Sequence, residues 1–168
     1  MTPAALLLAL VTLERLAELW LARRNTKALI ASGAVEFAPG HYPLIVLLHA
    51  FWLAGLCALG WQNSVNNIWL VIFLLLQFLR VWVLATLGPR WTTRIIVLPG
   101  LPLVARGPYR WLSHPNYVVV IGEIAVLPLC LGLPWYALAF SIANAAVLTI
   151  RIRAENAALT EVRGLAGH

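Results

Sequence analysis

Residues that can bind ligands or transfer protons are concentrated in one segment, Arg106 to Tyr117. Its twelve residues include two arginines, one histidine, two prolines and three aromatic residues, and an apolar run follows directly. The proline after His114 favours an extended backbone at that histidine, and the residues beyond it begin a helix. Amide groups at a helix N-terminus attract anions, and Arg110 adds positive charge nearby. The segment therefore predicts a ligand-binding site at the end of a helix rather than a simple turn.

A second polar segment, Arg151 to Asn156, follows the last apolar run of the chain. Arg151 and Glu155 are four residues apart, which places both side chains on one face of a helix that continues this run. One interpretation is an exposed ion pair, which would contribute roughly a few tenths of a kcal/mol. The other is a shared binding surface, and the spacing alone leaves both open.

Charged and titratable side chains also occur inside the apolar runs, where a charge costs about 2.5–3.5 kcal/mol at a helix centre. Counting residues from the ends of the runs places these groups in one layer near one membrane surface, which favours a pocket over a channel. They could form structural pairs, extend to the membrane interface or bind a substrate. The residues in this layer are Glu14, Arg15, Glu18, His49, Gln77, Arg80 and Glu123. The candidates for substrate binding among them are Glu14, Glu18, Arg80 and Glu123.

Helices that cross a membrane must position these groups, because 62% of the 168 residues are hydrophobic and only 11% are charged. A soluble domain has about a quarter charged residues. Five apolar runs predict five transmembrane helices in an all-α integral membrane protein with a single domain, residues 1–168. The fourth and fifth runs are short and nearly contiguous, which predicts a helical hairpin. The runs cover approximately Pro3–Ala22, Tyr42–Trp61, Ile68–Leu87, Tyr117–Leu131 and Pro134–Ile150.

The positions of the basic residues indicate the orientation of the chain. Three follow the first run, four lie between the third and fourth, and three follow the fifth, while the turns at 62–67 and 132–134 have none. This pattern predicts an N-terminus outside the cell's inner (plasma) membrane and a cytoplasmic C-terminus, with the polar segments on the cytoplasmic side. The ten residues are Arg23, Arg24, Lys27, Arg90, Arg94, Arg106, Arg110, Arg151, Arg153 and Arg163.

Composition also limits which partners the chain is expected to bind. The net charge of +6 does not indicate nucleic acid, because the basic residues flank apolar runs and form no aromatic-basic module. Cys57 and Cys130 lie inside apolar runs and are expected to be small buried residues rather than a disulfide or metal pair. Small residues such as Gly55 and Gly60 could pack helices within or between protomers, so a homo-oligomer remains an open interpretation.

The two polar segments together resemble the isoprenylcysteine carboxyl methyltransferase family, over about residues 91–159. The residues that carry this resemblance are Gly107-Pro108-Tyr109-Arg110, His114-Pro115-Asn116-Tyr117, Arg151-Ile152 and Glu155. The front half resembles a bacterial branch found with type III polyketide synthases, whose members O-methylate alkylpyrones and phenolic lipids. The residues of that second resemblance are Glu14-Arg15, Glu18-Leu19, Arg24-Asn25, Gly33-Ala34-Val35-Glu36, His41-Tyr42 and His49.

The family resemblance implies a membrane enzyme that uses S-adenosylmethionine, with residues 91–159 as the cofactor-binding core and a pocket on the cytoplasmic side. The family often has two adjacent glutamates in its last motif, and Asn156 takes the second position here. Carried over to this chain, the implied cofactor-binding residues are Gly107, Tyr109, Arg110, His114, Pro115, Asn116, Tyr117, Arg151, Glu155 and Asn156.

The chemistry implied by the resemblance is an in-line displacement at an activated methyl group, for which an enzyme supplies alignment and excludes water. The expected nucleophile is an oxygen of a lipid that reaches the site from the bilayer: a hydroxyl of an alkylpyrone or phenolic lipid, or a prenylcysteine-like carboxylate. A phenol with a pKa near 10 would need a base. The candidates for this base are His49, His41 and Glu36.

Two other functional classes remain as alternatives. A membrane reductase that uses NADPH is one, because sterol-reductase-like proteins resemble this family's fold. A small non-enzymatic transporter is the other, and the layered arrangement of the charges argues against it. No glycine-rich nucleotide-binding motif follows a strand pattern, so the usual soluble dinucleotide-binding fold is excluded.

Overall fold

The computed structural model describes residues 1–100, 102 and 104–166, without the side chains of His41, Leu159 and residues 161–166. The side chain of Arg163, one of the predicted basic residues, therefore lies outside the described part of the chain. Within these residues the chain forms five helices and two short strands. In chain order they are α1 (Pro3–Ala31), β1 (Val35–Phe37), α2 (Tyr42–Gly60), α3 (Asn67–Leu87), β2 (Ile95–Val97), α4 (Pro115–Cys130) and α5 (Pro134–Ala166). Short 3₁₀ turns lie at Pro39–His41, Gly88–Arg90 and Gly107–Arg110.

The helices begin where the sequence provides caps. The Thr2 hydroxyl accepts a hydrogen bond from the Ala5 amide at 3.1 Å at the start of α1. The Asn66 side chain accepts one from the Ile68 amide at 3.0 Å at the start of α3. Each cap satisfies an amide that has no partner within its helix. Pro115 and Pro134 begin α4 and α5, where a fixed φ and a missing amide hydrogen carry no cost.

The length and composition of the helices identify an integral membrane protein, which confirms the predicted all-α membrane class. Among the described helices, three are long and apolar enough to cross a bilayer: Tyr42–Gly60, Asn67–Arg90 and Pro134–Ala158. Helix α4 is apolar but has only 16 residues. Helix α1 is 29 residues long and contains Glu14, Arg15 and Glu18. Many large apolar side chains on the outer surface of the bundle are exposed, as expected for helices that face lipid.

Helix α4 lies at the centre of the bundle and packs along both α3 and α5. Its residues Ile124 and Leu127 lie in the buried core, together with Leu8 of α1 and Leu56 of α2. The predicted hairpin is formed by α4 and α5, which are separated by residues 131–133. Helix α5 then continues without a break past Ile150, so that Arg151 and Glu155 extend the same helix, as the spacing predicted.

A two-stranded antiparallel sheet closes one end of the bundle, which is called the loop end below. Strand β1 pairs with β2, with Val35 opposite Val97 and Phe37 opposite Ile95. The Asn25 amide nitrogen of α1 donates to the Gly88 carbonyl at 3.2 Å and to the Trp91 carbonyl at 2.8 Å. The segment between α3 and β2 is thereby held across the ends of the helices. The sequence interpretation contained helices and loops alone, and it missed these three-residue strands.

Candidate functional site

A cavity of about 290 Å³ lies under the sheet at the loop end and is called the loop cavity. Residues of β2 and its flanking segment form one side, and the two polar segments form the other. The predicted cofactor-binding residues that border it are Tyr109, His114, Asn116, Tyr117, Arg151 and Glu155. Its volume is close to the lower end of the range for small-molecule sites, about 300–1,000 Å³.

A second cavity, of about 330 Å³, lies inside the helix bundle and is called the bundle cavity. Most of its lining surface is apolar, with aliphatic side chains such as Leu16 and Leu19 of α1, Ile45 and Leu53 of α2 and others of α4 and α5. Leu16 is 58% exposed and Val46 is 37% exposed on the outer surface, and both also line the cavity. The bundle cavity therefore extends to the lipid-facing surface between α1 and α2.

The two cavities have five lining residues in common, and these residues are called the shared wall. They are Trp91, Thr92, Asn116, Tyr117 and Arg151. A ligand in the loop cavity and a ligand in the bundle cavity would contact the same side chains from opposite sides. The wall is made by the segment before β2, the first turn of α4 and one turn of α5.

The hydroxyl group of Tyr117 joins the two polar segments at the shared wall. It donates a hydrogen bond to the Glu155 carboxylate, and the Arg151 Nε donates to it at 3.0 Å. Arg151 also donates from Nη1 to the Thr93 carbonyl at 2.8 Å. The Tyr117 ring stacks on His114 at a centroid distance of 5.2 Å. Arg151 and Glu155 thus share a face, as predicted, and both contact Tyr117, which the interpretation as an exposed ion pair did not include.

Two buried polar atoms of the shared wall have no hydrogen-bond partner among the described residues. They are the Asn116 Oδ1 acceptor and the Trp91 Nε1 donor, both on the shared wall. Leaving such a group unpaired costs about 1–3 kcal/mol. A ligand that supplies the missing hydrogen-bond partner would remove this cost. Nearby, burial and the Glu155 carboxylate raise the pKa of Tyr109 to about 12. Its phenol is therefore a neutral hydrogen-bonding group at physiological pH.

A buried charge cluster forms the floor of the bundle cavity, where the sequence placed its layer of charges. Arg80 is 4% exposed, so it does not extend to the membrane interface. Its Nη1 lies 3.0 Å from Glu18, and its Nε lies 2.7 Å from Glu123. Gln77 donates to Glu123 at 2.8 Å, and Arg15 lies 3.1 Å from Glu18. Glu18 thus pairs with Arg80, one of the structural pairs that the sequence left open, and both residues also line the cavity.

Of the other residues predicted to bind substrate or act as a base, some border a cavity and others do not. His49 borders the bundle cavity, and its Nδ1 lies 2.8 Å from the Ile45 carbonyl. Glu36 contacts Arg94 at 2.8 Å and borders neither cavity. The His41 side chain lies outside the described part of the chain. Glu14 contacts Arg15 at 3.0 Å and, like Glu123, lines neither of the two cavities.

Four residues implied by the resemblance border neither of these two cavities: Gly107, Arg110, Pro115 and Asn156. The local structure requires glycine at position 107, because the φ of Gly107 is +57° and a Cβ atom there would collide with the Thr86 hydroxyl. Pro115 is buried at the start of α4 and directs the chain into the helix. Arg110 ends a 3₁₀ turn, and Asn156 is exposed on α5.

Several lining residues were absent from the sequence prediction. Trp91, Thr92 and Thr93 lie in a loop with no motif signal, and the strand pairing that positions them was missed. Asn144 is 3% exposed inside α5 and lines the bundle cavity. A polar residue within an apolar span is a signal of function, and this signal could have identified Asn144.

Comparisons with known proteins agree with the motifs. The chain is 42% identical over 161 residues to "Uncharacterized protein YpbQ" of Bacillus subtilis, which covers 93% of this chain and 96% of that protein. It is 29% identical over 153 residues to an uncharacterized protein of Haemophilus influenzae, which covers 83% and 84%. No solved structure matches. Residues 69–161, more than half of the chain and including both polar segments, match one family. The chain belongs to the isoprenylcysteine carboxyl methyltransferase family.

Proposed function

We propose that the protein is an S-adenosylmethionine-dependent O-methyltransferase that acts on a lipid held in the bilayer. Membership of the family supports a membrane methyltransferase. The shared wall is the observation that supports two substrates, one bound in each cavity. The loop cavity would hold the methyl donor and the bundle cavity the lipid acceptor. A displacement reaction requires the two to meet in line, and they could meet at Asn116, Tyr117 and Arg151.

The residues of the loop cavity fit the chemical groups of S-adenosylmethionine. Its carboxylate suits Arg94 or Arg151, and its ammonium suits Glu155. The buried Oδ1 of Asn116 offers an unused acceptor. Aromatic rings at Trp91 and elsewhere in the cavity favour a sulfonium, as they favour other cations. When bound, the cofactor supplies an activated methyl group.

The bundle cavity fits an acceptor with an apolar tail. Its aliphatic lining suits hydrocarbon, and its opening beside Leu16 and Val46 leads into the bilayer. The polar head would then lie at the shared wall. We propose a hydroxyl of an alkylpyrone or phenolic lipid as the acceptor, with a prenylcysteine-like carboxylate as the alternative. The basic residues further support a cytoplasmic location for the loop end, with the N-terminus outside the inner membrane.

An acceptor hydroxyl at the shared wall would need a proton acceptor within hydrogen-bond reach. The Tyr117 oxygen receives one hydrogen bond from Arg151 and donates its own proton to Glu155. Its remaining lone pair could take the acceptor's proton while the Tyr117 proton passes to the Glu155 carboxylate. Of the three bases predicted from the sequence, His49 remains a proposal for an acceptor hydroxyl that lies deeper in the bundle cavity.

Calorimetric titration in detergent micelles tests the choice of cofactor. We expect saturable binding of S-adenosylmethionine and none of NADPH. Replacing Asn116 with alanine is expected to weaken that binding about 3- to 10-fold, because one buried hydrogen bond is lost. Asn67→Ala, exposed at the opposite end of the bundle, is the matched control and should bind as the wild type does. Binding of NADPH alone would favour a reductase instead.

A further inference from the structure

Part of the first polar segment borders neither cavity and lies on the outer surface of the loop end. Arg106, Arg110 and Trp111 are all exposed there, and Trp111 has 69% of its surface exposed. Trp82 of α3 lies beside them, with its ring centroid 6.0 Å from that of Trp111 in an edge-on arrangement. These four side chains are called the outer patch. The reaction proposed above uses none of them.

Two contacts hold the outer patch against the end of α3. The Arg106 Nη2 donates to the Thr86 carbonyl at 3.4 Å. Gly107 lies so close to α3 that a Cβ atom there would be 3.2 Å from the Trp82 Nε1. Trp82 and Thr86 are four residues apart and share one face of the helix. The Trp82 indole and the Arg106 guanidinium group therefore lie next to each other at that face.

The outer patch carries positive charge without a carboxylate partner among the described residues. Arg110 forms no hydrogen bond or ion pair with them, and Arg106 uses one of its five donors. The indole nitrogens of the two tryptophans likewise have no acceptor. Guanidinium groups bind phosphate through paired hydrogen bonds, so the patch has the donors that a phosphate group needs. The described carboxylates contact other groups: Glu14, Glu18, Glu36, Glu123 and Glu155.

An apolar strip leads away from the outer patch along the surface of α3. Trp82, Phe78, Leu75 and Val71 are spaced three or four residues apart, so they lie on one face of the helix. Phe78 is 71% exposed and Leu75 is 65% exposed. From Trp82 to Val71 the helix rises about 16 Å, which is close to half of the ~30 Å hydrocarbon core. The strip therefore has the length of one leaflet.

We propose that the outer patch binds one acidic phospholipid, with the phosphate on Arg106 and Arg110 and an acyl chain along the strip on α3. This inference does not depend on the reaction proposed above. Tryptophan is common where helices meet headgroups, and the two arginines add the selectivity. A zwitterionic lipid brings an ammonium group, for which the patch has no carboxylate partner. A soluble phosphate lacks the chain that the strip would contact.

Native mass spectrometry of the protein in detergent micelles tests this inference. The protein is titrated with phosphatidylglycerol or with phosphatidylcholine of identical acyl chains, which gives a dissociation constant for the first bound lipid. The wild type should bind phosphatidylglycerol about 20-fold more tightly, since each basic residue at the surface contributes roughly fivefold toward an acidic lipid. Arg110→Gln should reduce this preference to about fivefold, and the double variant with Arg106→Gln should remove it.

A matched control separates a site from general attraction. Arg23→Gln with Arg153→Gln removes two exposed arginines of the same end of the bundle, from α1 and α5, and should keep the wild-type preference. Because Arg110 forms no hydrogen bond with another described residue, its single variant gives a result even if the Arg106 change unfolds the protein.

Three results would overturn the inference. The first is equal binding of the two lipids by the wild type, and the second is an equal loss of preference in the two double variants, which would show general attraction. The third is occupation of the patch by something else: displacement of phosphatidylglycerol by soluble glycerol 3-phosphate, or a dimer that forms in place of the lipid complex.

Discussion

Arg80→Ala is expected to destabilise the folded protein by about 3–5 kcal/mol, because it removes the buried guanidinium that contacts two buried carboxylates and leaves the partly exposed Arg15 to balance both. Glu18 and Glu123 both contact this guanidinium, and each is less than a tenth exposed. The change should lower the thermal unfolding temperature by roughly 10 °C.

The measurement uses the two native cysteines, since Cys130 is buried and Cys57 is partly buried. A thiol-reactive fluorophore reports their exposure as the protein unfolds in micelles. Arg23→Ala, an exposed arginine of α1, is the matched control and should shift the unfolding temperature little.

A variant that replaces all three buried charged groups distinguishes lost pairing from lost packing. Combining Arg80→Met with Glu18→Gln and Glu123→Gln removes these three charges together, leaves Arg15 paired with Glu14, and should recover most of the stability. If the triple variant is as unstable as Arg80→Ala, the cluster stabilises the bundle through shape and not through charge balance, and the prediction is wrong.

Tyr117→Phe is expected to lower kcat by about 10²- to 10⁴-fold, the range for removal of a positioned acid or base. The variant keeps the ring and its stacking on His114 but loses the hydroxyl that joins Arg151 to Glu155. Binding of S-adenosylmethionine should change much less than kcat, because the other polar residues of the loop cavity remain. Initial rates with a phenolic acceptor, together with calorimetric binding of the cofactor, provide the measurement.

The same substitution at Tyr136 is the matched control. Tyr136 donates to backbone carbonyls of α2 near the far end of the bundle and borders neither cavity. Tyr136→Phe should retain kcat within about twofold. A Tyr117→Phe enzyme with full kcat would exclude the proton path through Glu155, and a loss of rate in His49→Ala with Tyr117→Phe unaffected would assign the base to His49.

The fold could be predicted from the sequence to the extent that it depends on local composition. Apolar runs and their prolines placed the five helices, and the i, i+4 spacing placed Arg151 and Glu155 on one face. The charged layer was also predictable, because a charge in lipid needs a partner and the residues available at that depth are few. The pairing of Arg80 with Glu18 follows from this constraint.

The remainder depends on contacts between distant residues that carry no local pattern. Val35 and Val97 pair across 61 intervening residues, and a three-residue strand has no readable periodicity. This pairing positions Trp91 and Thr92, so the shared wall could not be predicted without it. Glu36 shows the same limit, because it lies on β1 and contacts Arg94 without bordering a cavity itself, and this position depends on strand register.

The central claim, transfer of a methyl group across the shared wall to a lipid, is tested most directly with isotope-labelled cofactor. The protein in lipid nanodiscs is incubated with S-adenosylmethionine that carries a trideuterated methyl group, together with 5-pentadecylresorcinol, and the extracted lipid is analysed by mass spectrometry. We predict a product one trideuteromethyl group heavier, formed by the wild type and strongly reduced in Tyr117→Phe. Protein that binds the cofactor yet yields no labelled lipid above a protein-free control, from this acceptor or from a membrane lipid extract, would contradict the account.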